Sequence, residues 1–408
     1  MTKRSLALAL SAAVSLVLAS GLAGANAGHA EERAASACGP AATVRETLPG
    51  GTRWEMCWHV DPQSGLVLED VRLSFRGSPI ATVLESVTLG QLNVPYDTGT
   101  TEWNDITSFG FGGDAMQRLP ERECPGGSRR APYDGGKVLC VVAEPTGPAQ
   151  RIADDGYLYS RQGVDLVLRT VSKVGWYEYV TEYRFGDDGR FTARLGATGD
   201  LSPADYTSER YGQPIGPGAT DHAAAHHHNA VWRVDPGLGS ERIEQFDTAP
   251  TGQQGRRSAI LATTRTPIPT ERALTGANRR WWRVVSDAAP NADGHPRSYQ
   301  LVTGANDDYE SRPEMAPDLT VTEARACEKF ASFNLDPECA ARSVVDYVNG
   351  EPLTDPVLWV RIGFHHLPRD EDQSPMRVHW QGFDLLPRDL TATNPLAPSA
   401  RASINGRP

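Results

Sequence analysis

The chain has 408 residues and a formal net charge of −11, from 40 Lys and Arg against 51 Asp and Glu. This acidic balance lacks the basic field that phosphates attract, which argues against nucleic acid or an anionic membrane as the main partner. Hydrophobic residues make up 39% and charged residues 22%, a composition typical of globular proteins and not of disordered ones.

The first thirty residues have the pattern of a secretory signal peptide. A basic start precedes an apolar run over residues 6–22, and a small-residue stretch ending at Ala27 supplies a signal-peptidase site. A membrane anchor is the alternative, but the run is short for a span of about 20 residues and no charged residue stops it promptly. We expect residues 1–30 to be removed and the mature chain to be secreted without a membrane span.

Short alternating runs separated by turns predict a β-rich fold. Residues 71–75 alternate apolar and polar side chains, which is the period of a half-buried strand. Residues 179–195 are typical of a hairpin with its turn at 186–189. Residues 357–364 are nearly all apolar and predict a strand buried on both faces.

One helix and the extent of the domain complete the predicted organisation. Thr322 is a plausible N-cap for a helix over residues 322–331. Residues 38–395 contain no recognisable linker, which favours a single large β-rich domain. Residues 396–408 are rich in Pro, Ala and Arg and predict a frayed, flexible tail.

Six cysteines in an exported chain indicate disulfides, because thiols oxidise outside the cytoplasm. A zinc–thiolate site is disfavoured, since no Cys-x2-Cys spacing occurs. Six cysteines cannot be paired with certainty from sequence, but closure between sequence neighbours is the simplest connectivity. The predicted pairs are Cys38–Cys57, Cys124–Cys140 and Cys327–Cys339.

A histidine cluster is the strongest sign of chemistry in the chain. On an extended strand His226 and His228 share one face while His227 points to the other. A third imidazole from His365 or His366 would complete a metal site, and three imidazoles suit zinc and copper alike. The alternative interpretation is a solvated histidine cluster in a loop.

Motifs around these histidines resemble those of the copper amine oxidases, which are primary-amine oxidases. The family carries Asn-Tyr-Asp/Glu-Tyr, then His-x-His followed by Arg-x-Asp, then His-x-Pro-Arg. The matching segments, in the same order, are Tyr177-Glu178-Tyr179, His226-His227-His228 with Arg233-Val234-Asp235, and His366-Leu367-Pro368-Arg369.

The resemblance extends over roughly residues 38–395. Val94-Pro95-Tyr96 is similar to the family's Val-Pro-Tyr, and Asp105 with Phe109-Gly110 is similar to the segment that carries the catalytic base. Cys124 and Cys140 match the family's conserved disulfide, and residues 64–68 resemble the strand that opens the catalytic domain. The smaller amino-terminal domains of many family members have no counterpart in this sequence.

This resemblance implies a fold, an activity and a role for each matching residue. The implied fold is all-β, a large antiparallel β-sandwich with few short helices, assembled as a homodimer. The implied reaction oxidises a primary amine with dioxygen to an aldehyde, ammonia and hydrogen peroxide. The implied roles are copper(II) ligation by His226, His228 and His366, formation of topaquinone from Tyr177, cofactor binding by Glu178 and Tyr179, base catalysis by Asp105, a hydrogen bond to the cofactor from Tyr96, and gating by Trp103.

A secondary metal site of the calcium type is also implied, at Asp235 and Asp355. Gly237 stands where a further Asp ligand is expected, so such a site would depend largely on backbone carbonyl oxygens. Two unrelated surface aspartates are the alternative interpretation.

Two segments depart from the family pattern and keep other functions open. Trp176 stands where the family has Asn before the quinone precursor, and Ile-Thr-Ser at 106–108 replaces Thr-Gly-Glu after Asp105. One alternative is a degenerate relative that binds copper but forms no quinone and serves as a binding or accessory protein. The other is a zinc enzyme of the hydratase type, which leaves Tyr177 and Asp105 unexplained.

Overall fold

The computed structural model describes residues 38–131, 136–154 and 157–397. The predicted signal peptide lies outside the described residues, as do residues 398–408 of the predicted tail. Two units are distinguished, Met1–Ala41 and Ala42–Pro408; of the first only residues 38–41 are described, and the sheets and the site belong to the second. No helix in the described ranges is long and apolar enough to cross a bilayer.

Strands dominate the described chain, and its α-helices are each a single turn. The helices are α1 (Gly39–Ala42), α2 (Asp105–Ser108) and α3 (Val344–Tyr347). In chain order the strands are β1 (Thr43–Thr47), β2 (Arg53–Asp61), β3 (Gly65–Ser74), β4 (Ala81–Pro95), β5 (Glu102–Asn104), β6 (Ser128–Arg130), β7 (Leu139–Asp154), β8 (Tyr157–Val174), β9 (Tyr177–Gly186), β10 (Phe191–Gly199), β11 (Gly212–Ile215), β12 (Asp221–Ala224), β13 (His226–Pro236), β14 (Glu241–Gln254), β15 (Ala259–Ile268), β16 (Arg272–Leu274), β17 (Arg280–Pro290), β18 (Pro296–Val302), β19 (Leu319–Glu323), β20 (Pro356–His366) and β21 (Met376–Arg388).

These strands form two large sheets and one small one. The nine-stranded sheet has the order β1-β2-β3-β4-β13-β20-β19-β16, with β5 added to β4. The ten-stranded sheet has the order β15-β14-β17-β18-β21-β10-β9-β8-β7-β6, and β11 pairs with β12. The pairings are antiparallel throughout.

The core lies between the two large sheets. Trp54 of β2 packs on Phe185 of β9 with ring centroids 5.0 Å apart, and Trp232 of β13 meets Phe383 of β21 at 5.5 Å. All four aromatic side chains belong to one continuous buried cluster. Burying one face of each sheet against the other is the packing of a β-sandwich, so the predicted all-β fold is confirmed.

The strands expected from alternation are present. Residues 71–75 lie on or next to β3, and β20 is buried from Pro356 to Gly363, as its apolar run predicts. The predicted hairpin is formed by β9 and β10, closed by a hydrogen bond from the Gly186 amide to the Arg190 carbonyl oxygen. Gly189 in this turn has a φ of 92°, a backbone conformation that side chains with a Cβ rarely adopt.

The helix predicted over residues 322–331 is wrong. Thr322 is on strand β19, which pairs with β20, and the chain after Glu323 runs through turns and irregular segments. The Thr322 side chain is fully buried, and its hydroxyl accepts a hydrogen bond of 3.1 Å from Nε1 of Trp359. Pairing with a buried neighbouring strand outweighs a local helix signal, because helix propensity is a weak preference.

The disulfide predictions agree with the structure. The Cα atoms of Cys124 and Cys140 are 5.5 Å apart, as are those of Cys327 and Cys339, and both pairs are bonded. No cysteine among the described residues is free.

The first residue of the predicted flexible tail, Leu396, is packed against the rest of the protein. Leu396 is buried, and its carbonyl oxygen accepts a hydrogen bond of 2.9 Å from the Tyr159 hydroxyl. The described chain is therefore held in place at Leu396, beyond the predicted domain boundary at residue 395.

A buried ion pair holds β20 against the loop that precedes β19, and its loss is expected to be costly. Arg361 contacts Asp318 at 2.7 Å, with side chains 2% and 8% exposed. Asp318→Asn leaves the guanidinium buried without a counter-charge, so we expect a loss of about 3 kcal/mol in unfolding free energy. Unfolding of both proteins by guanidinium chloride measures this change.

The matched control is Asp247→Asn, which removes the partner of Arg280 in a pair with side chains 36% and 28% exposed. Exposed pairs contribute less than about 1 kcal/mol, so this variant should remain close to the unmodified protein. Equal effects from the two substitutions would contradict the importance of burial at Asp318.

Candidate functional site

Three histidines meet at the ends of two paired strands. Antiparallel pairing places His226 of β13 directly opposite His366 of β20, and His228 lies two residues along on the same face. The residues His226, His366 and His228 are 0%, 2% and 0% exposed. Each offers a ring nitrogen within 4.8 Å of the others. The structure thus selects His366, not His365, as the third member of this triad.

The triad has the properties of a metal site. Both ring nitrogens of His228 are buried and have no hydrogen-bond partner among the described residues. Burial lowers the pKa of His226 to about 3 and that of His228 well below its usual value. Neutral imidazoles are metal ligands, and an unpartnered buried nitrogen is costly unless something binds it. The residues therefore fit a divalent transition ion such as copper or zinc.

Hydrogen bonds orient two of the imidazoles toward the centre of the triad. Nδ1 of His226 lies 3.3 Å from the carbonyl oxygen of Ala224, which leaves Nε2 for a metal. Nε2 of His366 lies 3.0 Å from Asp372, which leaves Nδ1. Asp372 is fully buried and also lies 3.1 Å from Nε2 of His379. Such carboxylate–imidazole contacts fix ring orientation in metal sites.

The sequence analysis assigned no role to Asp372 or His379. Asp372 lies in a short turn after β20, and His379 lies on β21 in the other sheet. Burial raises the pKa of Asp372, but hydrogen bonds from the two imidazoles outweigh burial and leave it below its usual value. The spacing of Asp372 from His366 is a usable signal in the sequence, whereas the contact with His379 depends on packing between sheets.

Tyr177 at the start of β9 reaches the triad from the opposite sheet. Its hydroxyl oxygen lies 2.9 Å from Nε2 of His226 and 3.3 Å from Nδ1 of His366. Burial raises the pKa of this phenol well above its usual value. A metal ion held by the triad would lie beside the Tyr177 hydroxyl, where its positive charge would favour the phenolate.

Tyr179 links this phenol to a buried carboxylate. The Tyr179 ring is stacked with that of Tyr177, with centroids 5.8 Å apart. Its hydroxyl donates a 3.0 Å hydrogen bond to Asp105. The pKa of Asp105 is raised to about 7, because the effect of burial is larger than the opposite effect of the hydrogen bond from Tyr179. Asp105 is the first residue of helix α2, and its carboxylate is hydrogen-bonded to Tyr179 of the opposite sheet.

A cavity of about 260 Å³ brings the remaining predicted site residues together. Tyr96, Trp103, Asp105 and Tyr177 all line it. Its full lining is Val94, Tyr96, Thr101, Trp103, Asp105, Phe109, Val174, Gly175, Trp176, Tyr177, Tyr179, Ser202 and Asp205. The mixture of aromatic walls and a few polar groups is typical of a small-molecule site.

Asp205 is a second carboxylate in this cavity that sequence reasoning missed. Burial raises its pKa to about 6, and a hydrogen bond with the Tyr96 hydroxyl lowers it. Tyr96 also packs on the His226 ring, with centroids 4.7 Å apart. Asp205 lies in a short turn within an irregular segment, so no periodic pattern marks it.

Two tryptophans lie at the open side of the cavity. Trp103 is 46% exposed and contacts the Phe109 ring at 5.6 Å, so it is not a fully packed core residue. Trp176 is 52% exposed and lies in the turn before β9. Despite this indole, the neighbouring Tyr177 ring reaches the histidines.

Three predicted residues are not brought to the triad. Glu178 lies between Tyr177 and Tyr179 on β9, so its side chain points to the opposite face of the strand. Asp235 is hydrogen-bonded to Arg233 at 3.2 Å, and Asp355 is exposed. Neither aspartate belongs to a cluster of three candidate ligands within the described ranges. The calcium-type site stays a prediction.

Comparison with known proteins agrees on one family. The family described as copper amine oxidase, enzyme domain, matches residues 52–404. The chain is 25% identical over 413 residues to primary amine oxidase 2 of Arabidopsis thaliana, covering 87% of this chain and 59% of that protein. It is 27% identical over 413 residues to the liver isozyme of primary amine oxidase from Bos taurus, covering 89% and 53%. The chain thus spans less than two thirds of the length of these relatives.

Solved structures of similar fold are also amine oxidases. A copper-containing benzylamine oxidase from Hansenula polymorpha has a TM-score of 0.73 at 20% identity, covering 88% of this chain and 62% of that one. Aspergillus nidulans amine oxidase has a TM-score of 0.73 at 21% identity, covering 85% and 52%. At 20% to 21% sequence identity, this structural similarity is evidence for the fold alone.

Replacing His228 is expected to stabilise the metal-free protein and to abolish most of the stabilisation by Cu²⁺. His228→Leu removes a buried polar ring without partners, so we expect the metal-free protein to gain about 1 kcal/mol in unfolding free energy. The same change removes a ligand, so the rise in melting temperature caused by Cu²⁺ should be largely lost. Thermal unfolding with and without Cu²⁺ measures both effects.

His295→Leu is the matched control, because this imidazole is 63% exposed. It should keep the Cu²⁺-induced shift, and its metal-free stability should change by less than about 0.5 kcal/mol. A large loss of metal-free stability in His228→Leu would contradict the assignment of His228 as an unsatisfied ligand.

Proposed function

The chain belongs to the copper amine oxidase family, and we propose that it oxidises primary amines with copper(II) and a topaquinone formed from Tyr177. The net reaction converts a primary amine, dioxygen and water into an aldehyde, ammonia and hydrogen peroxide. The observation that carries this proposal is the 2.9 Å separation between the Tyr177 hydroxyl oxygen and Nε2 of His226, next to a cavity that also contains Asp105.

The metal and the quinone would be held by residues already described. His226, His228 and His366 would hold copper, and Tyr177 would be the residue converted to the quinone. When present, this pair supplies an electrophilic carbonyl for the amine and a route for its electrons to dioxygen. The protein contributes the position of the phenol, the neutral imidazoles and the exclusion of water by burial.

Asp105 is proposed as the base that removes a proton from the carbon next to the amine nitrogen. Its carboxylate lines the same cavity as Tyr177 and is held by the Tyr179 hydroxyl. A base works best when its pKa is near the working pH, and burial raises the pKa of Asp105 to about 7. The hydrogen bond from Tyr179 restrains the orientation of the carboxylate.

Tyr96 is proposed to donate a hydrogen bond to an oxygen of the cofactor. A phenol has one hydroxyl hydrogen, and the Tyr96 hydroxyl is hydrogen-bonded to Asp205. Near neutral pH Asp205, whose pKa burial raises to about 6, is ionised and accepts this hydrogen, so donation to the cofactor would require a cofactor oxygen to replace Asp205 as the acceptor.

We also propose that the chain is secreted and forms a homodimer. Disulfide bonding of all six cysteines suits an oxidising compartment. The hairpin of β14 and β15 is exposed over most of its outer half, including Ile260 and Leu261, which are 43% and 45% exposed. Exposed apolar side chains on a projecting hairpin favour contact with a second copy.

Trp176 favours one alternative, a degenerate relative that binds copper without forming the quinone. The indole lines the cavity immediately before Tyr177, where family members have Asn. A bulky side chain there would hinder movement of the ring during conversion. Against this alternative, Trp176 is 52% exposed, and the Tyr177 hydroxyl already lies within hydrogen-bond distance of the triad.

Quinone formation can be tested on the metal-free protein. After addition of Cu²⁺ in air, phenylhydrazine should form a coloured adduct that mass spectrometry assigns to Tyr177, and Tyr177→Phe should form none. Tyr183→Phe is the matched control, because Tyr183 is a buried tyrosine on the same strand and should not affect the adduct. Bound copper with unmodified Tyr177 would instead support the degenerate relative.

The proposed base predicts a pH dependence. Asp105 accepts a proton only when ionised, so oxidation should fall as the pH decreases below about 7. Tyr179→Phe removes a hydrogen bond that lowers the pKa of Asp105, so the acidic limb of the profile should move to higher pH. Asp105→Asn should slow turnover by about 10²-fold or more. Hydrogen peroxide release measures all three.

An Asp105→Asn variant that keeps full turnover would exclude Asp105 as the base. If the decrease in turnover at low pH is unchanged in Tyr179→Phe, the group that titrates there is not Asp105 but another group, such as Asp205. Phenylhydrazine labelling of each variant establishes that the quinone is present before rates are compared.

A further inference from the structure

Consecutive histidines on two paired strands produce a second histidine pair on the other face of the sheet. In the pairing of β13 with β20, His227 lies directly opposite His365, one position from the pair of His226 with His366. Side chains alternate between the faces of a sheet, so His227 and His365 point away from the buried triad. Their rings stack, with centroids 4.1 Å apart and planes 9° apart.

A carboxylate completes this group. Asp97 follows β4, and its Oδ2 lies 3.0 Å from Nε2 of His365, while its Oδ1 lies 3.9 Å from Nδ1 of His227. The three candidate ligand atoms lie within 4.8 Å of one another. The side chains of His227, His365 and Asp97 are 17%, 30% and 39% exposed, so an ion from solvent can reach them.

We propose that Asp97, His227 and His365 form a second metal site, distinct from the triad, which binds a divalent transition ion such as zinc. Two imidazoles and one carboxylate are a common ligand set for zinc, with metal–ligand distances of about 2.0 to 2.2 Å. Such distances place tetrahedral ligands about 3.3 Å apart. The two contacts of Asp97, at 3.0 and 3.9 Å, would change by less than about 1 Å, and the two imidazole nitrogens, which lie within 4.8 Å, by at most about 1.5 Å.

The backbone around the group is fixed, so only side-chain rotation is needed to bind an ion. The Asp97 amide donates a 2.9 Å hydrogen bond to the Ala225 carbonyl oxygen. The His365 amide donates a 2.8 Å hydrogen bond to the Asp307 carboxylate. Coordination would separate the stacked imidazoles until both in-plane lone pairs point at the ion. The strand pairing holds both Cα positions during this change.

The proposed site opens into a groove that would leave room for further ligands. A groove of about 850 Å³ is lined by Asp97 and His227 together with Glu102, Tyr309 and Arg312. Three protein ligands leave one position of a tetrahedral zinc ion for water or a small anion. Arg312 is already paired with Glu102, so the groove has little free positive charge to repel a cation.

Zinc binding to the copper-loaded, full-length protein tests the proposal. Samples are equilibrated by dialysis against Zn²⁺, and copper and zinc per chain are then measured by mass spectrometry. The unmodified protein should bind one zinc ion more per chain than either His365→Gln or Asp97→Asn. His295→Gln, which removes an exposed histidine elsewhere, should bind as much zinc as the unmodified protein.

The comparison between variants keeps this test independent of the buried triad and of the proposed oxidase activity. A triad without copper would add the same zinc to every sample and leave the difference of one ion unchanged. Equal zinc in the unmodified protein, His365→Gln and Asp97→Asn would overturn the proposal. Circular dichroism of both variants establishes that the fold is retained, so that a loss of zinc can be assigned to the loss of a ligand.

Discussion

The in-register antiparallel pairing of β13 with β20 is the constraint on which the candidate site depends. It places His226 opposite His366 and, through the two-residue period of strands, assigns His228 to the same face. A slip of one residue in either strand would move its imidazoles to the other side of the sheet. The register is fixed by burial on both faces of β20 and by pairing with β4 and β19.

Burial then sets the charge state of the whole site in a consistent direction. Desolvation lowers the pKa of His226 and raises that of Asp105, because burial disfavours the charged form of each group. The imidazoles are therefore available as neutral ligands, and the carboxylate can change protonation near neutral pH. Asp372 is the exception, since two imidazoles donate to it and keep it ionised despite complete burial.

Much of this arrangement could be predicted from local patterns, and the remainder depends on contacts between distant elements. The alternation of His226 and His228 and the turn of the β9–β10 hairpin follow from the period of a strand and the preferences of glycine. Glu178 could have been assigned to the opposite face by the same period. The strand pattern alone left His365 and His366 open, and the family motif chose His366, which the register places opposite His226. Asp205 required the packing of an irregular segment against Tyr96. The segment at Thr322 shows the opposite failure, in which a local helix signal was overruled by pairing with β20.

The position of β15 has a consequence for how the protein behaves at high concentration. It is the last strand of the ten-stranded sheet, and nine of its ten residues are exposed. Within the described part of the chain, one of its edges therefore presents backbone groups to no neighbouring strand. Free edges of this kind template aggregation, and charged side chains are the usual protection. Arg265 on this strand and the exposed Arg256 and Arg257 in the preceding turn provide such protection. Their neutralisation would be more damaging to solubility than to the candidate site, which lies in other strands.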